Sequence, residues 1–196
     1  MSRRALQSAH HWARAAITIG CVLASSAIAA TFPTGERDIV LLSQAGEEHV
    51  IGTATFTPAS EKDGHYRYVL AMDYETFKDF FLSMKEMKCL ESAKELMCHL
   101  AYPYENPRLV SAEDFGWMAL DLLFMFKQPS EFGAKLWNGV YFDMALKDGV
   151  IAGAAQAVDL NLLAAPPEDP TAHPLPPIER YEMDPTERWL PIIEIR

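Results

Sequence analysis

The sequence predicts an α+β fold, with two antiparallel β-meanders, separate or joined as one curved sheet, packed on two central helices and followed by a Pro-rich extended tail. Three observations lead to this prediction. Residues 65–72 alternate with a period of two, as in a half-buried strand. One set is Tyr66, Tyr68, Leu70 and Met72, and the other is His65, Arg67, Val69 and Ala71. Between Phe77 and Met84 the apolar residues recur at helical spacing. Eight of the thirteen prolines lie between Pro166 and Pro191, which disfavours regular helix and sheet there.

The N-terminal residues have the pattern of a secretory signal peptide. Three arginines and no acidic residue precede Glu36, and residues 15–30 form a short, largely apolar segment. Ala27 and Ala29 match the small-residue cleavage pattern, so we expect residues 1–29 to be removed on export. A retained membrane anchor would need roughly 20 apolar residues, and this segment is shorter and contains Thr, Gly and Ser. The expected location is the bacterial periplasm or the extracellular medium, with no stable membrane insertion after cleavage.

The charge balance excludes one large class of partners. The chain has 17 Lys and Arg against 27 Asp and Glu, a net charge of -10. The predicted cleavage makes the charge more negative, because the removed segment contains arginines and no acidic residue. Nucleic acids and anionic membrane surfaces are bound by clusters of Lys and Arg. We therefore expect no nucleic acid partner, and we assign the acidic surface to solubility rather than to storage of cations.

Two cysteines remain after the predicted cleavage, because Cys21 leaves with the signal peptide. Cys89 and Cys98 are expected to form a structural disulfide, since oxidising compartments allow disulfides to persist. In the chain-entropy model, a disulfide that closes such a short loop stabilises the fold by roughly 2 to 3 kcal/mol. Redox-active thiols and a zinc site are the alternatives. The spacing is not that of a catalytic C-x-x-C pair, and zinc would need more ligands than His99, the one nearby candidate.

The first meander is predicted from three segments with strand character. Residues 38–43, 49–57 and 65–72 are rich in β-branched and aromatic residues, and turn-forming residues separate them. Pro58 ends the second segment. The simplest arrangement of the three is an antiparallel sheet.

A helix is predicted to begin after Asp73, whose side chain suits an N-cap. A further short helix is predicted for residues 90–97, across the disulfide loop. The longer helix carries one apolar stripe that we assign to the core and not to a cofactor site. Its members are Phe77, Phe80, Phe81 and Met84.

The second main helix is predicted for residues 112–127. Ser111 and Asp114 resemble a capping box, and ten of the twelve positions from 115 to 126 are apolar, so the helix should be the buried centre of the fold. Asp121 is the one charge in that apolar run. It is expected either to act as a functional acid or, as is more common for buried carboxylates, to pair with an Arg or a backbone N–H.

The second meander is predicted from residues 132–137, 140–146 and 150–163. Asn138-Gly139 is the preferred dipeptide of a type I′ hairpin and should join the first two strands. Residues 30–165 would then form a single α+β domain. Residues 166–196 would form a Pro-rich extended tail that docks on this domain or on a partner, because its last residues are too apolar for a loose end.

The search for catalytic chemistry finds no motif. The sequence contains no nucleophile elbow, phosphate loop, zinc-protease helix or dinucleotide fingerprint. The best acid and base combination is His65 with Asp73 or Asp143, which is weak because nothing in the sequence brings them together. We therefore assign no catalytic residue, no metal site and no cofactor, and an enzyme, such as a small hydrolase, is the least favoured interpretation.

A binding or interaction module with an aromatic-lined cleft is the favoured interpretation, with a small apolar or carbohydrate ligand. The alternative is a structural or assembly partner in the cell envelope, acting through residues 166–196. Aromatic side chains outnumber any need of the predicted core, and we expect Phe81, Trp117 and Trp137 to contribute to the cleft. The ligand-binding residues are expected to be Tyr66, Tyr68, His99, Tyr102 and Tyr104.

Overall fold

A single antiparallel sheet of twelve strands dominates the structure. The computed structural model describes residues 31–82, 85–169 and 171–196. The expected signal peptide and Cys21 lie outside these residues. Within them, the strands are β1 (Gly35–Leu42), β2 (Glu48–Pro58), β3 (His65–Met72), β4 (Lys78–Leu82), β5 (Lys85–Glu91), β6 (Leu96–Leu100), β7 (Leu109–Ser111), β8 (Leu123–Lys127), β9 (Gly139–Lys147), β10 (Val150–Val158), β11 (Arg180–Glu182) and β12 (Ile192–Ile195).

The strand order brings distant parts of the chain together. The strands follow one another as β4-β5-β6-β8-β9-β10-β12-β1-β2-β3-β7, and β11 pairs with β10 beside β12. β3 and β6 are far apart in this order, yet Tyr68 of β3 bonds to Asp121, next to β8, and Tyr74, just after β3, bonds to His99 of β6. The sheet must therefore bend strongly, so that one face encloses the apolar core.

The predicted fold class is wrong, because the chain is mostly β and not α+β with two central helices. One α-helix occurs in the described ranges, α1 (Gly116–Asp121), and it has only six residues. The remaining helical segments are short 3-10 turns. They cover Tyr74–Thr76, Leu160–Leu163, Pro177–Glu179 and Pro185–Glu187.

The helix expected after Asp73 is a 3-10 turn followed by a β-hairpin. Asp73 does act as a cap, since its side chain accepts the N–H of Glu75, but the turn ends at Thr76 and β4 begins at Lys78. Phe and Leu suit strands as well as helices, and a short apolar run does not distinguish the two. The residues predicted as a helix at 90–97 are likewise the end of β5, a turn, and the start of β6.

The long apolar run at 115–126 is divided between α1 and β8, instead of forming one helix. The helix ends at Asp121, and Leu122 leaves helical geometry with φ -111° and ψ 31°. Phe124 and Met125, on opposite faces of β8, are both fully buried. A strand covered on both faces shows no alternation in its sequence, so it resembles a buried helix.

The predicted disulfide between Cys89 and Cys98 is confirmed. The two residues lie directly opposite each other on β5 and β6, and their sulfur atoms are bonded. Both side chains are fully buried. The disulfide therefore fixes the register of the β5–β6 hairpin and does not span the short helix that the sequence predicts.

The second meander has two of its three expected strands. Residues 132–137 form an irregular loop in which Phe132 is 98 % exposed. Asn138 ends this loop and Gly139 begins β9, so the dipeptide forms no hairpin turn. The β9–β10 hairpin turns at Asp148 and Gly149, whose φ angles of 52° and 82° are those of a type I′ turn.

The end of the C-terminal tail lies inside the sheet. β12 pairs with β10 along one edge and with β1 along the other, both antiparallel. It is the one strand in the described residues that joins the group β1–β2–β3–β7 to the group containing β8, β9 and β10. The tail is thus a structural part of this domain.

Several side chains hold the rest of the tail against the domain. Leu175 is fully buried, and His173 lies so close to Gly116 of α1 that a Cβ there would be 2.7 Å from its ring. Arg188 lies 3.1 Å from the buried carboxylate of Glu95, without hydrogen-bond alignment, and its guanidinium covers the ring of Phe126. Burial raises the pKa of Glu95 more than Arg188 lowers it.

Shortening one side chain of β12 tests its structural role. Ile193 is fully buried between Leu41 and Gly153, so Ile193→Ala should lower the free energy of unfolding by about 2–5 kcal/mol. Urea unfolding followed by Trp fluorescence measures this loss. Ile192→Ala, at a half-buried neighbouring position, is the control and should cost clearly less. Equal, small losses would mean that β12 is peripheral to stability.

Candidate ligand-binding pocket

A pocket of about 240 Å³ opens where β3 approaches β6 and α1. The residues around it come from four places in the chain: β3 and the turn after it, β6 and the loop after it, the residue before β7, and the end of α1. The lining combines phenols, an imidazole, a carboxylate and a guanidinium with a few apolar side chains. It consists of Tyr68, Leu70, Met72, Tyr74, His99, Ala101, Tyr102, Arg108 and Asp121.

Asp121 is held by two side chains on one side of the pocket. The Tyr68 hydroxyl donates to Oδ2 at 2.8 Å, and the Asn106 amide donates to Oδ1 at 2.9 Å. The carboxylate is therefore satisfied by a phenol and an amide, and not by the Arg or backbone N–H that the sequence led us to expect. Each oxygen keeps a further lone pair for another donor.

His99 is held as a neutral imidazole between two partners. Its Nε2 lies 3.0 Å from the backbone carbonyl of Asp121, which can only accept, so Nε2 carries the proton. Its Nδ1 then accepts from the Tyr74 hydroxyl at 3.0 Å. The residue is 8 % exposed, and this burial lowers the pKa of His99 despite the opposing influence of Asp121. His99 thus brings no positive charge to the pocket at neutral pH.

Tyr102 places a buried, unpaired hydroxyl at the pocket. The residue is 7 % exposed, and its hydroxyl has no hydrogen-bond partner among the described residues. Burial, and secondarily Tyr104 and Asp121, raises the pKa of Tyr102, so the phenol keeps its proton at neutral pH. The hydroxyl can therefore both donate and accept a hydrogen bond, and a buried polar group without a partner costs about 1–3 kcal/mol.

The pKa of Tyr68 is also raised, chiefly by burial and then by the nearby Asp121 charge. Arg108 acts in the opposite direction, because its positive charge favours the phenolate. Tyr68 is consequently protonated over the physiological range and serves as a fixed donor to Asp121. Its oxygen keeps a lone pair that can accept a bond from a ligand.

The structure distributes the five expected ligand-binding residues over two regions. Tyr68, His99 and Tyr102 line the pocket together. Tyr104 lies beside it, with its ring 5.5 Å from that of Tyr102 and its hydroxyl donating to the Ala164 carbonyl at 2.8 Å. Tyr66 lies elsewhere, because it stacks on Phe32 at 3.8 Å and belongs to an aromatic cluster at the other end of β3.

The three further aromatic residues expected in the cleft lie away from it. Trp117 is buried next to Tyr102 and His173. Phe81 on β4 is 76 % exposed, and Trp137 is also exposed, in the loop before β9. Neither lines the pocket, and Phe81 instead lines a separate surface cavity together with Phe80 and Phe132.

Sequence reasoning missed three residues of the site, namely Tyr74, Asn106 and Arg108. Tyr74 was assigned to a helix, which hid its role as the partner of His99. Asn106 and Arg108 follow Pro103 in an irregular segment that has no periodic pattern. The one available signal was the density of polar and aromatic residues between two prolines, which indicates a rigid loop but not its partners.

The weak catalytic combination considered from the sequence does not assemble. His65 bonds to the Asp63 carbonyl, Asp73 caps the 3-10 turn, and Asp143 pairs with Arg180. Across residues 31–82, 85–169 and 171–196, no group of three or more His, Cys, Asp or Glu side chains is arranged to hold a metal ion.

In the described part of the chain, no helix combines the length and the apolar character that crossing a membrane requires. Comparison with known proteins assigns no family. No family model, curated protein or solved structure matches the chain. The function must therefore be argued from the pocket.

The buried, neutral state of His99 predicts a pH dependence of stability. The unfolded chain takes up a proton on His99 below about pH 6.5, whereas the folded protein resists this, so the free energy of unfolding should fall with the pH below that point. Removing the imidazole in His99→Gln should make the slope between pH 6.5 and 5 shallower, by up to about 1.4 kcal/mol per pH unit.

Urea unfolding at several pH values measures the slope. His173, whose pKa burial also lowers, contributes with the same sign and remains in this variant, so His173→Gln is the comparison. Identical slopes for the wild type and His99→Gln would show that His99 accepts a proton as readily in the folded state as in the unfolded one.

Proposed function

We propose that this protein is an exported, non-catalytic binding module that holds a small hydroxyl-bearing molecule, of carbohydrate-like chemistry, in the Tyr102 pocket. One observation carries the proposal. Tyr102 is more than nine-tenths buried, lines the cavity, and leaves its hydroxyl without a partner among the described residues. Buried polar groups in native proteins nearly always have a hydrogen-bond partner, so a buried hydroxyl without one indicates that the partner comes from outside the protein. A polar group of a ligand at this position would supply that partner.

The chemistry of the lining favours a hydroxylated ligand over an apolar one. Tyr68 and Tyr74 use their protons on Asp121 and His99, and each phenol oxygen retains acceptor capacity. Asp121 retains lone pairs as well. A molecule with several hydroxyl groups can donate to these acceptors and accept from Tyr102. The cavity, at about 240 Å³, is smaller than the usual drug-sized site and suits a single small molecule.

The disulfide between Cys89 and Cys98 is compatible with an extracellular or periplasmic location. The N-terminal sequence pattern supports the more specific part of the proposal, that residues 1–29 are a secretory signal and that the mature protein works in the bacterial periplasm. A soluble binding module of this size would meet diffusing small molecules there.

The alternative, an envelope assembly partner acting through residues 166–196, receives less support. Such a role would need the tail to be free for a partner. β12 instead pairs on both edges inside the sheet, and Leu175 and Leu190 are fully buried. A partner competing for these residues would have to open the core of the domain.

Two neighbouring tyrosines provide a matched test. Tyr102→Phe removes the unpaired hydroxyl, so it should weaken ligand retention by about tenfold or more while leaving thermal stability unchanged or improved. Tyr104→Phe removes a hydroxyl that bonds to the Ala164 carbonyl, so it should retain the ligand and lose a little stability.

The measurement is the mass of each protein isolated gently from the periplasm, first native and then denatured, together with its melting temperature. The wild type and Tyr104→Phe should carry a small-molecule adduct that denaturation releases, and Tyr102→Phe should carry much less. A wild type without an adduct, together with a Tyr102→Phe variant as destabilised as Tyr104→Phe, would mean that the Tyr102 hydroxyl has only a structural role.

A further inference from the structure

Arg108 stands out among the arginines of the described residues. It lines the pocket, yet its guanidinium makes no hydrogen bond or ion pair there, although the chain has far more acidic than basic residues. Every other arginine in those ranges has a partner. These are Arg37 with the Glu36 carbonyl, Arg67 with Glu61, Arg180 with Asp143, Arg188 with Glu95, and Arg196 with Glu48 and Glu194.

The backbone of Arg108 is fixed to the pocket, while its side chain is free. Its N–H donates to the Asn106 side-chain oxygen at 2.8 Å, and its carbonyl accepts the Tyr68 N–H at 3.1 Å. The same Asn106 amide donates to Asp121. The base of the Arg108 side chain is therefore held in register with both Tyr68 and Asp121, and the guanidinium at its exposed end can reach a ligand without moving the backbone.

Arg108 is not needed as a partner for Asp121, the acidic residue of the pocket. Asp121 is already bonded to Tyr68 and Asn106, and neither bond involves Arg108. His99 is neutral, so Arg108 is the one positive charge among the lining residues. Two donors thus remain without a partner, the Arg108 guanidinium and the Tyr102 hydroxyl, and both belong to the same cavity.

From this pairing, and resting on the proposed binding function, we infer that the ligand is a hydroxylated carboxylate of the sugar-acid class, with its acid group bound by Arg108 and Tyr102. A guanidinium binds a planar carboxylate through two parallel N–H bonds, which a lysine could not do in the same way. The hydroxyl groups of the ligand donate to Tyr68, Tyr74 and Asp121. A neutral sugar can make these hydroxyl contacts, but it has no carboxylate for Arg108 to bind.

D-glucuronate and D-glucose test the inference, because they share a ring and differ at the carboxylate. Titration of the mature chain with each, followed by NMR of the His99 and Tyr102 side chains, should show glucuronate binding about 10- to 100-fold more tightly. Arg108→Gln should abolish that preference, because the variant side chain can no longer pair with the carboxylate. Arg67→Gln, on the outer face of β3 and paired with Glu61, is the control and should keep it.

The outcomes separate the two proposals. If both sugars bind with equal affinity at His99 and Tyr102, the acid inference is overturned and the proposed binding function stands. A preference for glucuronate that survives Arg108→Gln also overturns the inference, because the acid would then be recognised elsewhere. If neither sugar shifts the His99 or Tyr102 signals at millimolar concentration, both the inference and the carbohydrate-like function are overturned.

Discussion

The insertion of β12 between β10 and β1 is the constraint on which the rest of the structure depends. Without those four residues, the strands described here would fall into two groups with no backbone pairing between them. Ile193 and Ile195 are fully buried, so the joint is also a continuous part of the core. Because β12 is the last element of the chain, the sheet is completed by contacts between sequence-distant residues, which form slowly relative to local ones.

The pocket also depends on β12, because its residues come from both sides of the joint that β12 forms. Tyr68 belongs to the group of strands that begins with β1, whereas His99 belongs to the group that contains β6 and β8, and Asp121 ends α1 just before β8. The Tyr68–Asp121 and Tyr74–His99 bonds therefore connect the two groups on the side of the sheet away from β12. The two groups are therefore joined by strand pairing at β12 and also by these two polar contacts, whose side chains line the cavity.

Local periodicity made the half-buried strands predictable, but it failed where both faces of an element are covered. β3 was predicted with its observed bounds from the period-two alternation of residues 65–72, and the structure accordingly buries Tyr68 and exposes Val69. The residues of β8 are apolar on both faces, so their sequence could not be distinguished from a helix. For the site, Tyr68, His99 and Tyr102 were predicted from the surplus of aromatic side chains and from the extended segment around Pro103. Arg108 and Asn106 depend on loop geometry that no pattern in the sequence encodes.

The difference between Tyr102 and Tyr104 narrows the proposed binding site more than the count of aromatic residues does. Both follow the same strand and their rings touch, yet one hydroxyl bonds to the Ala164 carbonyl and the other bonds to nothing in the described fold. A hydroxyl that served stability alone would be expected to have a partner, as those of Tyr68, Tyr74 and Tyr104 do. The unsatisfied donor capacity of the pocket is thus confined to Tyr102 and Arg108, and these two groups together define an acceptor that the protein itself does not provide.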